Sequence, residues 1–443
     1  MPHILPFRGT FYNKEKLSNL FSVLAPPYDV ISPEEQDDLY ATDEYNIIRI
    51  ILGKDYPEDN HAENRYTRAA KYLQTWKRED ILIKDSSPSI YVYEQQFNLK
   101  LGGMRIRRGF FCLTQLEEFE QGSILPHEHT FSEPIADRYR LLQACLSNFN
   151  PVFALYPDEE NHLDRYLERA RENYPLVDFW DGQGMRHTIW PLRDPAMIKE
   201  LAESLEKKRV FIADGHHRYE TALKFRNQSR ESGRYAKGAN FFDYTMFYYT
   251  NIYSPGLAIL PVHRLIKSIS QPSFAKFEEL LREFFFIEPL TFNYADHSEL
   301  GGMIGQNLAE RQAHSFHSFI VYTGAKRFLL LTLKSDGALN RDEFLAVEPE
   351  LRKLDLVILH RLIIQRLLPG SHQAANGEMV FYTPSEELAI AKVDSAEFQL
   401  AFFVNSVPVK VLMTLAESGL RLPHKSTFFY PKLLSGLVIN QME

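Results

Sequence analysis

The chain has 443 residues, of which 44% are apolar and 24% are charged, a balance typical of a globular protein with material for two or three packed domains. Its net charge of -8 argues against the overall positive field on which non-specific nucleic-acid binding relies. Cys112 and Cys145 lack metal-ligand spacing, which excludes a cysteine zinc site and a disulfide framework. The N-terminus shows no leader pattern, and no segment stays apolar for the roughly 20 residues that a bilayer needs. We therefore expect a cytoplasmic protein.

In chain order, the first clear helix start follows the Pro-rich turn of APPYDVI. Ser32 is the predicted N-cap, Pro33 the first helical residue and Glu35 the partner in a capping box. Hairpins are predicted for SIYVYEQQFNL with RIRRGFFCLTQL and for FWDGQGMRHTIWPL. Between and after them the pattern predicts the helices ADRYRLLQACLSNF and DPAMIKELAESLEKK and the strands PVFALY and RVFIA. The first part of the chain thus mixes helices and strands.

The later chain continues this mixture. FDYTMFYYTNI and GLAILPV read as strands, SFAKFEELLREFF as a helix and SFIVYTGAKRFLLLTL as a hairpin around Gly324. Apolar residues recur with helical spacing in LDLVILHRLIIQRLL and in VPVKVLMTLAES. We expect an α+β protein with a core over residues 1–240, a middle region over 241–350 and a C-terminal region over 351–443.

Titratable chemistry is concentrated where the strand RVFIA meets the helix HRYETALKFRNQSRE. Asp214 is predicted to end the strand and cap the helix, and Gly215 would let a ligand approach the backbone. Free N–H groups at a helix start favour anions, and Arg218 adds a planar fork suited to phosphate. His216 and His217 add donors that can also shuttle protons near neutral pH. The alternative interpretation is an ordinary helix cap followed by solvated polar residues.

A second polar cluster lies in ILPHEHTFSEP. In an extended segment His127 and His129 point to one side and Glu128 to the other. Glu128 could be a general base, or His127 and His129 could form a metal pair. An ordinary polar loop before a helix is the third possibility.

A third signal is RLPHKSTFFYPKLLSG, in which Lys425, Ser426, Thr427 and Lys432 offer phosphate ligands. The segment lacks the glycines of a P-loop, so it also fits a plain C-terminal strand with its aromatic residues packed inside. LPVHRLIK adds His263 and Arg264 as a weaker signal of the same kind.

Five segments together carry a resemblance: APPYDVIS, LPHEHTF with ADRYRLL, IADGHHRYETAL, GLAILPVHRL and KSTFFYPKLLSG. They resemble the uncharacterised bacterial and archaeal family called domain of unknown function 1015 over nearly the whole chain. ADGHHRYETA is also similar to the signature turn of the ParB/sulfiredoxin-like fold, which binds nucleotide phosphates at the start of a helix. This second resemblance implies a nucleotide-binding core.

Three chemistries known in that fold can be compared with this sequence. Sulfiredoxin-like reductases carry a cysteine where this chain has His216, and ParB-like DNA switches usually carry a basic helix-turn-helix that we do not find. The remaining branch, free-serine kinases, resembles this chain in its Asp-Gly-His-His-Arg turn and in an earlier His-Glu segment, here His127 and Glu128. This sequence departs from the branch in a long insertion between the two segments and in its large C-terminal region.

The resemblance implies phosphoryl transfer on a small hydroxyl-bearing metabolite, with serine or phosphoserine as the first candidate and either direction of transfer open. Glu128 would accept the hydroxyl proton, with His127 beside it, and Asp214 would bind Mg²⁺. The ligands expected for the phosphates of ATP or ADP are Gly215, His216, His217, Arg218, Lys425, Ser426 and Thr427. We expect small-molecule partners and neither membrane nor nucleic acid. A metal-dependent hydrolase built on His127 and His129, and a nucleotide-sensing regulator without catalysis, remain alternatives.

Overall fold

The structure is a computed structural model, and it describes residues 2–99, 102–233, 240–267, 269, 276–314, 317–367, 379–423 and 425–442. By internal contacts the chain divides into two compact units. The first unit is Met1–Ala258 with Phe429–Glu443, and the second is Ile259–Phe428. Helices and sheets are mixed in both units, which confirms the predicted α+β class. The predicted regions 241–350 and 351–443 fall mainly in the second unit, and the three-part division stays a prediction.

The first unit is built around a mixed sheet that has nine strands within the described residues. Across its main path the strands are Ile124–Leu125, Val210–Asp214, Val152–Tyr156, Tyr244–Asn251, Gly103–Gln115, Ile90–Leu99, Arg186–Leu192 and Val177–Trp180, and Ile4–Leu5 pairs with Gly103–Gln115 off this path. Both predicted hairpins are confirmed, because each pair of strands is antiparallel and adjacent. Two short pairs complete the unit: Thr10–Tyr12 with Leu82–Lys84, and Ser147–Asn148 with Asn440–Gln441.

Seven helices are described in this unit: Pro33–Thr42, Ile48–Ile51, Arg65–Arg78, Ser132–Cys145, Asp164–Arg171, Pro195–Glu206 and His216–Ser232. The predicted capping box is confirmed, since the Ser32 side chain accepts the Glu35 N–H and the Glu35 side chain accepts the Ser32 N–H. Alternate strand residues such as Val92, Phe110 and Ile212 form the apolar core with these helices. The main core therefore lies on one face of the sheet.

The opposite face of the central hairpin carries buried polar side chains as well as aromatic rings. Gln95 and Arg107 face each other in the register of the two strands, and neither side chain is exposed to solvent. The last residues of the chain cross this face, where Phe429 lies edge-on against Phe153 at 5.7 Å between ring centroids. The chain end, Phe429–Glu443, thus belongs to the first unit.

The second unit contains an antiparallel sheet of six described strands. Their order is Phe285–Leu290, Phe328–Leu333, Ser318–Tyr322, Leu400–Phe403, His263–Ile266 and Val380–Thr383. The described helices are Phe277–Phe284, His297–Ala313, Pro349–Arg352, Glu386–Asp394, Val409–Glu417 and Asp355–Leu359, the last continuing through a π-helical turn at His360–Ile364 into Gln365–Leu367. The predicted hairpin around Gly324 is confirmed by the pairing of its two strands. In the described ranges no helix is long and apolar enough to cross a membrane.

Candidate functional site

The predicted joint between strand and helix is present in the first unit. The strand Val210–Asp214 ends one residue before the helix His216–Ser232, which we call the site helix. Gly215 joins them with a φ of +93°, a conformation that favours glycine. A Cβ atom at this position would lie 2.8 Å from Cζ of Arg218. Glycine is therefore required both for the turn and for the close approach of the guanidinium group.

Asp214 does not cap the site helix, so this part of the prediction is wrong. Gly215 occupies the N-cap position and, as a glycine, makes no side-chain cap. The Asp214 carboxylate turns instead toward two cations: Oδ2 accepts a hydrogen bond from Nη2 of Arg218 at 3.1 Å, and Oδ1 lies 3.5 Å from Nζ of Lys432. The helix start thus lies beside a cluster of charges.

The charge state of this cluster follows from its neighbours. Burial acts to raise the pKa of Asp214, but the charges of Lys432 and Arg218 outweigh it and hold that pKa well below its usual range. Asp214 is therefore ionised at neutral pH. Arg218 and Lys432 bring two cations to the turn, and positive side chains at a helix start favour an anionic ligand.

Arg218 is fixed by three acceptors. Its Nη1 donates to Oδ1 of Asn150 and to the carbonyl oxygen of Pro151, and its Nη2 donates to Asp214. Asn150 is itself held, because its Nδ2 donates to the carbonyl oxygen of Leu433 and to Oγ of Ser435, both at 3.1 Å. Of the five guanidinium donors, two remain for a ligand.

Lys432 is placed by a fully buried arginine. Nη2 of Arg107 donates to the carbonyl oxygen of Pro431 at 2.6 Å and Nη1 to that of Tyr430 at 3.3 Å, while Nε2 of Gln95 donates to that of Lys432 at 3.3 Å. No carboxylate in the described part of the chain pairs with Arg107, and burial lowers its pKa. Since an uncompensated buried charge is costly, we attribute Arg107 to holding the backbone that presents Lys432.

The structure brings the two predicted polar segments together despite the long stretch between them. The His127 N–H donates to Nε2 of His216 at 3.2 Å, and the Phe131 N–H donates to Nε2 of His217 at 3.0 Å. A third bond runs from Oγ1 of Thr130 to Oε2 of Glu220 at 2.7 Å. The first two turns of the site helix therefore hold residues 127–131 in place.

These contacts define the protonation of the three histidines. A backbone N–H can only donate, so Nε2 of His216 and of His217 is an acceptor and the proton of each neutral ring is on Nδ1. Nδ1 of His127 lies 2.7 Å from the carbonyl oxygen of Ile212 and therefore carries its proton. Burial lowers the pKa of His127 to about 4, which keeps this ring neutral at pH 7. The geometry favours a positioning role for His127.

Glu128 is half-buried and follows directly after the His127 contact, whereas His129 is exposed. No group of three or more His, Cys, Asp or Glu side chains that could hold a metal ion is found in the ranges that the structure describes. Both oxygens of Asp214 face cations, so this residue does not fit a direct ligand of Mg²⁺. The arrangement fits an anion better than a metal held by the protein.

The predicted phosphate ligands Lys425, Ser426 and Thr427 belong to the second unit. Oγ of the buried Ser426 donates to the carbonyl oxygen of Pro423, and the carbonyl oxygen of Lys425 accepts from Nη2 of Arg264 at 3.2 Å. Contact of these three residues with a nucleotide stays a prediction. His263 and Arg264 are buried in a strand of the same unit, where Nδ1 of His263 accepts the Val404 N–H.

Two residues beside Arg218 were not predicted from the sequence. Tyr28 of the APPYDVIS segment and Arg138 of the ADRYRLL segment stack, with 4.0 Å between the guanidinium carbon and the ring centroid. Arg138 also pairs with Asp137 and donates to the carbonyl oxygen of Ile51 at 2.7 Å. Tyr28, Arg138 and Arg218 line one pocket. Their occurrence in segments that carry the family resemblance was the available signal.

Fold and site together define an α+β protein in which two cations meet an aspartate at a helix start. The chain belongs to the family described as "Protein of unknown function (DUF1015)", whose model matches residues 4–357. No curated protein matches this chain.

Three solved structures are similar to it at low levels. The structure titled "Free serine kinase in complex with AMP" is 12% identical, with 72% of this chain and 86% of that chain covered and a TM-score of 0.34. A conserved hypothetical protein from Pyrococcus furiosus is 12% identical, with 73% and 92% covered and a TM-score of 0.33. The structure titled "SbnI with C-terminal truncation from Staphylococcus aureus" is 10% identical, with 73% and 85% covered and a TM-score of 0.32. Likenesses of this size assign no function, so the proposal below depends on the residues of the turn.

Proposed function

We propose that the turn at residues 214–218, together with Lys432, binds the phosphates of ATP or ADP. We further propose that Glu128 is the general base in phosphoryl transfer on a small hydroxyl-bearing metabolite, with serine as the first candidate acceptor and phosphoserine as the corresponding donor in the reverse reaction. The observation that carries the proposal is the gathering of Arg218 and Lys432 around Asp214 at the start of the site helix.

The phosphate part of the proposal is supported by charge and geometry. The first N–H groups of a helix and its positive dipole end both favour a bound anion. Arg218 has two donors left, and the ammonium group of Lys432, 3.5 Å from Oδ1 of Asp214, brings a second cation to the same turn. Asp214 then keeps the two cations apart and oriented rather than binding the nucleotide itself.

The catalytic part is supported by the attachment of the Glu128 segment to the same turn. In the proposed step the acceptor hydroxyl oxygen forms a bond to the terminal phosphorus while the bridging P–O bond breaks, leaving ADP from ATP or AMP from ADP. The hydroxyl proton goes to the Glu128 carboxylate, and the electron pair of the broken bond stays on the leaving phosphate. Such a transfer depends mainly on positioning and charge neutralisation. Mg²⁺ would supply further charge neutralisation with the nucleotide, and the proposal requires no protein ligand for it.

The test combines binding and turnover. Nucleotide affinity is measured by titration calorimetry for the wild type and for Arg218→Ala, and phosphoryl transfer is assayed for the wild type and for Glu128→Gln. Loss of one or more hydrogen bonds to a charged group should weaken nucleotide binding in Arg218→Ala by about 1.5–3 kcal/mol. Unchanged nucleotide affinity in a folded Arg218→Ala protein would contradict the assignment of the turn.

A nucleotide-sensing regulator is the alternative outcome of the same experiments. Binding of ATP or ADP without phosphoryl transfer to any hydroxyl compound would support the phosphate site and reject the proposed enzymatic activity. The metal-dependent hydrolase has no comparable support, because His129 is exposed while His127 is buried against Ile212.

A further inference from the structure

Beside the turn, the first unit contains a pocket of about 70 Å³ that the proposed function leaves unused. It lies among the site helix, the helix Ser132–Cys145 and the residues that follow that helix. Part of its wall is apolar and comes from Leu141, Leu142, Val152 and Ala222. About 70 Å³ is less than half of the roughly 150 Å³ cavity that holds a benzene ring, so the pocket encloses only part of a small molecule and the rest extends out of it. A nucleobase is too large for it.

The remaining wall is polar and positively charged. Tyr28, Arg138 and Arg218 contribute to it, and Arg138 is nine-tenths buried. Arg138 uses Nε and Nη2 for Asp137 and one hydrogen of Nη1 for the carbonyl oxygen of Ile51, which leaves two of its five donors.

The Tyr28 hydroxyl is a further donor in this wall. It has no hydrogen-bond partner among the residues that the structure describes. Burial raises its pKa to about 12, so at neutral pH it is a phenol that can donate to an anion. The polar wall therefore offers donors from a phenol and from two guanidinium groups.

The charges around the polar wall determine whether it favours an anionic or a cationic group of a small molecule. The carboxylate nearest Arg138, Asp137, is shared with Arg65 at 2.5 Å, and Asp214 is shared between Arg218 and Lys432. Both of these carboxylates are thus already paired with cations, whereas Asp29, next to Tyr28, is exposed to solvent. The polar wall favours an anionic group and disfavours an ammonium group.

We propose, on the basis of the proposed function, that this pocket binds the phosphoryl acceptor and that the acceptor is a hydroxy acid with a short aliphatic chain. Its carboxylate lies against Arg138 and Tyr28, its carbon chain against the apolar wall, and its hydroxyl group extends past Arg218 toward the turn. An amino group is not required for recognition. This narrows the acceptor from any small hydroxyl compound to one chemical class.

The experiment is a set of calorimetric titrations without nucleotide and then with ADP. The probes are glycerate, 3-hydroxybutyrate, serine, ethanolamine and inorganic phosphate. We expect both hydroxy acids to bind at least as tightly as serine, and ethanolamine to bind at least tenfold more weakly; with ADP occupying the turn, inorganic phosphate should also bind at least tenfold more weakly. Serine binding more than tenfold tighter than glycerate, phosphate binding as tightly as the hydroxy acids in the presence of ADP, or no hydroxy-acid binding at all would each overturn the proposal.

Three variants locate the binding. Arg138→Gln should weaken hydroxy-acid binding roughly 10- to 100-fold, as expected for lost hydrogen bonds to a charged group. Arg140→Gln is the matched control, because Arg140 is exposed on the same helix and should leave binding unchanged. Leu141→Phe fills the pocket, so it should abolish hydroxy-acid binding and retain nucleotide affinity. This variant tests where the hydroxy acid binds if Arg138→Gln does not fold. Wild-type hydroxy-acid binding in Leu141→Phe would place the ligand elsewhere.

The two proposals fail separately. The titrations without nucleotide test the pocket alone, so hydroxy-acid binding by a protein that does not bind ADP would reject the phosphate site and keep the pocket. ADP binding with no response to any hydroxy acid would do the reverse.

Discussion

The buried neutral His127 makes the stability of the first unit dependent on pH in a defined direction. The substitution His127→Asn keeps a side-chain N–H that can donate to the carbonyl oxygen of Ile212 but removes the titrating ring. The control is His162→Gln, because the His162 side chain is 67% exposed. The comparison isolates the cost of protonating one buried imidazole.

The sign follows from the two pKa values. Burial lowers the pKa of His127 to about 4 in the folded protein, whereas an unfolded histidine titrates near pH 6.5. The unfolded chain therefore binds the proton first as the pH falls, so the contribution is fully present above about pH 6.5 and is lost on acidification toward pH 4. Linkage gives a loss of about 2 kcal/mol between about pH 7.5 and pH 5, and about 3 kcal/mol when both states are protonated.

The assay is urea unfolding of wild type, His127→Asn and His162→Gln at about pH 7.5 and pH 5, followed by a signal from the first unit. The difference in unfolding free energy between wild type and His127→Asn should change by about 2 kcal/mol between the two pH values, in favour of the variant at the lower pH. The His162→Gln difference should not change. An NMR titration that gives His127 a pKa near 6.5 would refute the reasoning, because it would show an imidazole in contact with water.

Three further predictions concern the turn. Gly215→Ala should lower nucleotide affinity, because the new Cβ displaces the guanidinium group of Arg218, and the strained backbone should also cost about 1–3 kcal/mol of stability. The control is Gly184→Ala, which has a φ of +74° and no atom near the new Cβ, and which should change stability alone. An equal effect of both variants on nucleotide affinity would argue against the close guanidinium contact. Arg107→Met should weaken nucleotide binding through Lys432 although Arg107 touches no ligand, and calorimetry showing wild-type affinity would remove its positioning role. Glu128→Gln should reduce turnover by about 10²–10⁴ with nucleotide affinity retained, and wild-type turnover would reject the general base.

Much of the fold was predictable because local patterns and tertiary structure agree. The Ser32 capping box, the two hairpins of the first unit and the strand–glycine–helix joint at residues 210–232 depend on side-chain alternation and on capping chemistry that neighbouring residues supply. The sequence also indicated that residues 127–128 and 214–218 belong together, and their hydrogen bonds agree with this.

The partners of Asp214 could not be predicted from local rules. Its ion pair with Lys432 requires the chain end to return across the sheet of the first unit, and no pattern near Asp214 encodes that return. The prediction that Asp214 caps the helix failed for the same reason. An aspartate just before a helix is typical of an N-cap, and the local sequence does not show that distant cations hold its carboxylate elsewhere. Arg107 was not predicted as a site residue. Alternation along its strand predicts which face of the sheet it occupies, and a charged residue there is expected to be in contact with solvent. Only the structure shows that the chain end covers this face.

The most direct test of the central claim is a calorimetric titration of ATP and ADP against the wild type, Lys432→Gln and Lys224→Gln. Lys432 is suited to this test because it is far from the turn in sequence and adjacent to it in the structure, while Lys224 is an exposed lysine on the site helix. The account predicts that the wild type binds nucleotide, that Lys432→Gln binds at least tenfold more weakly and that Lys224→Gln binds like the wild type. A wild type that binds neither nucleotide, or a Lys432→Gln protein with wild-type affinity, would contradict it.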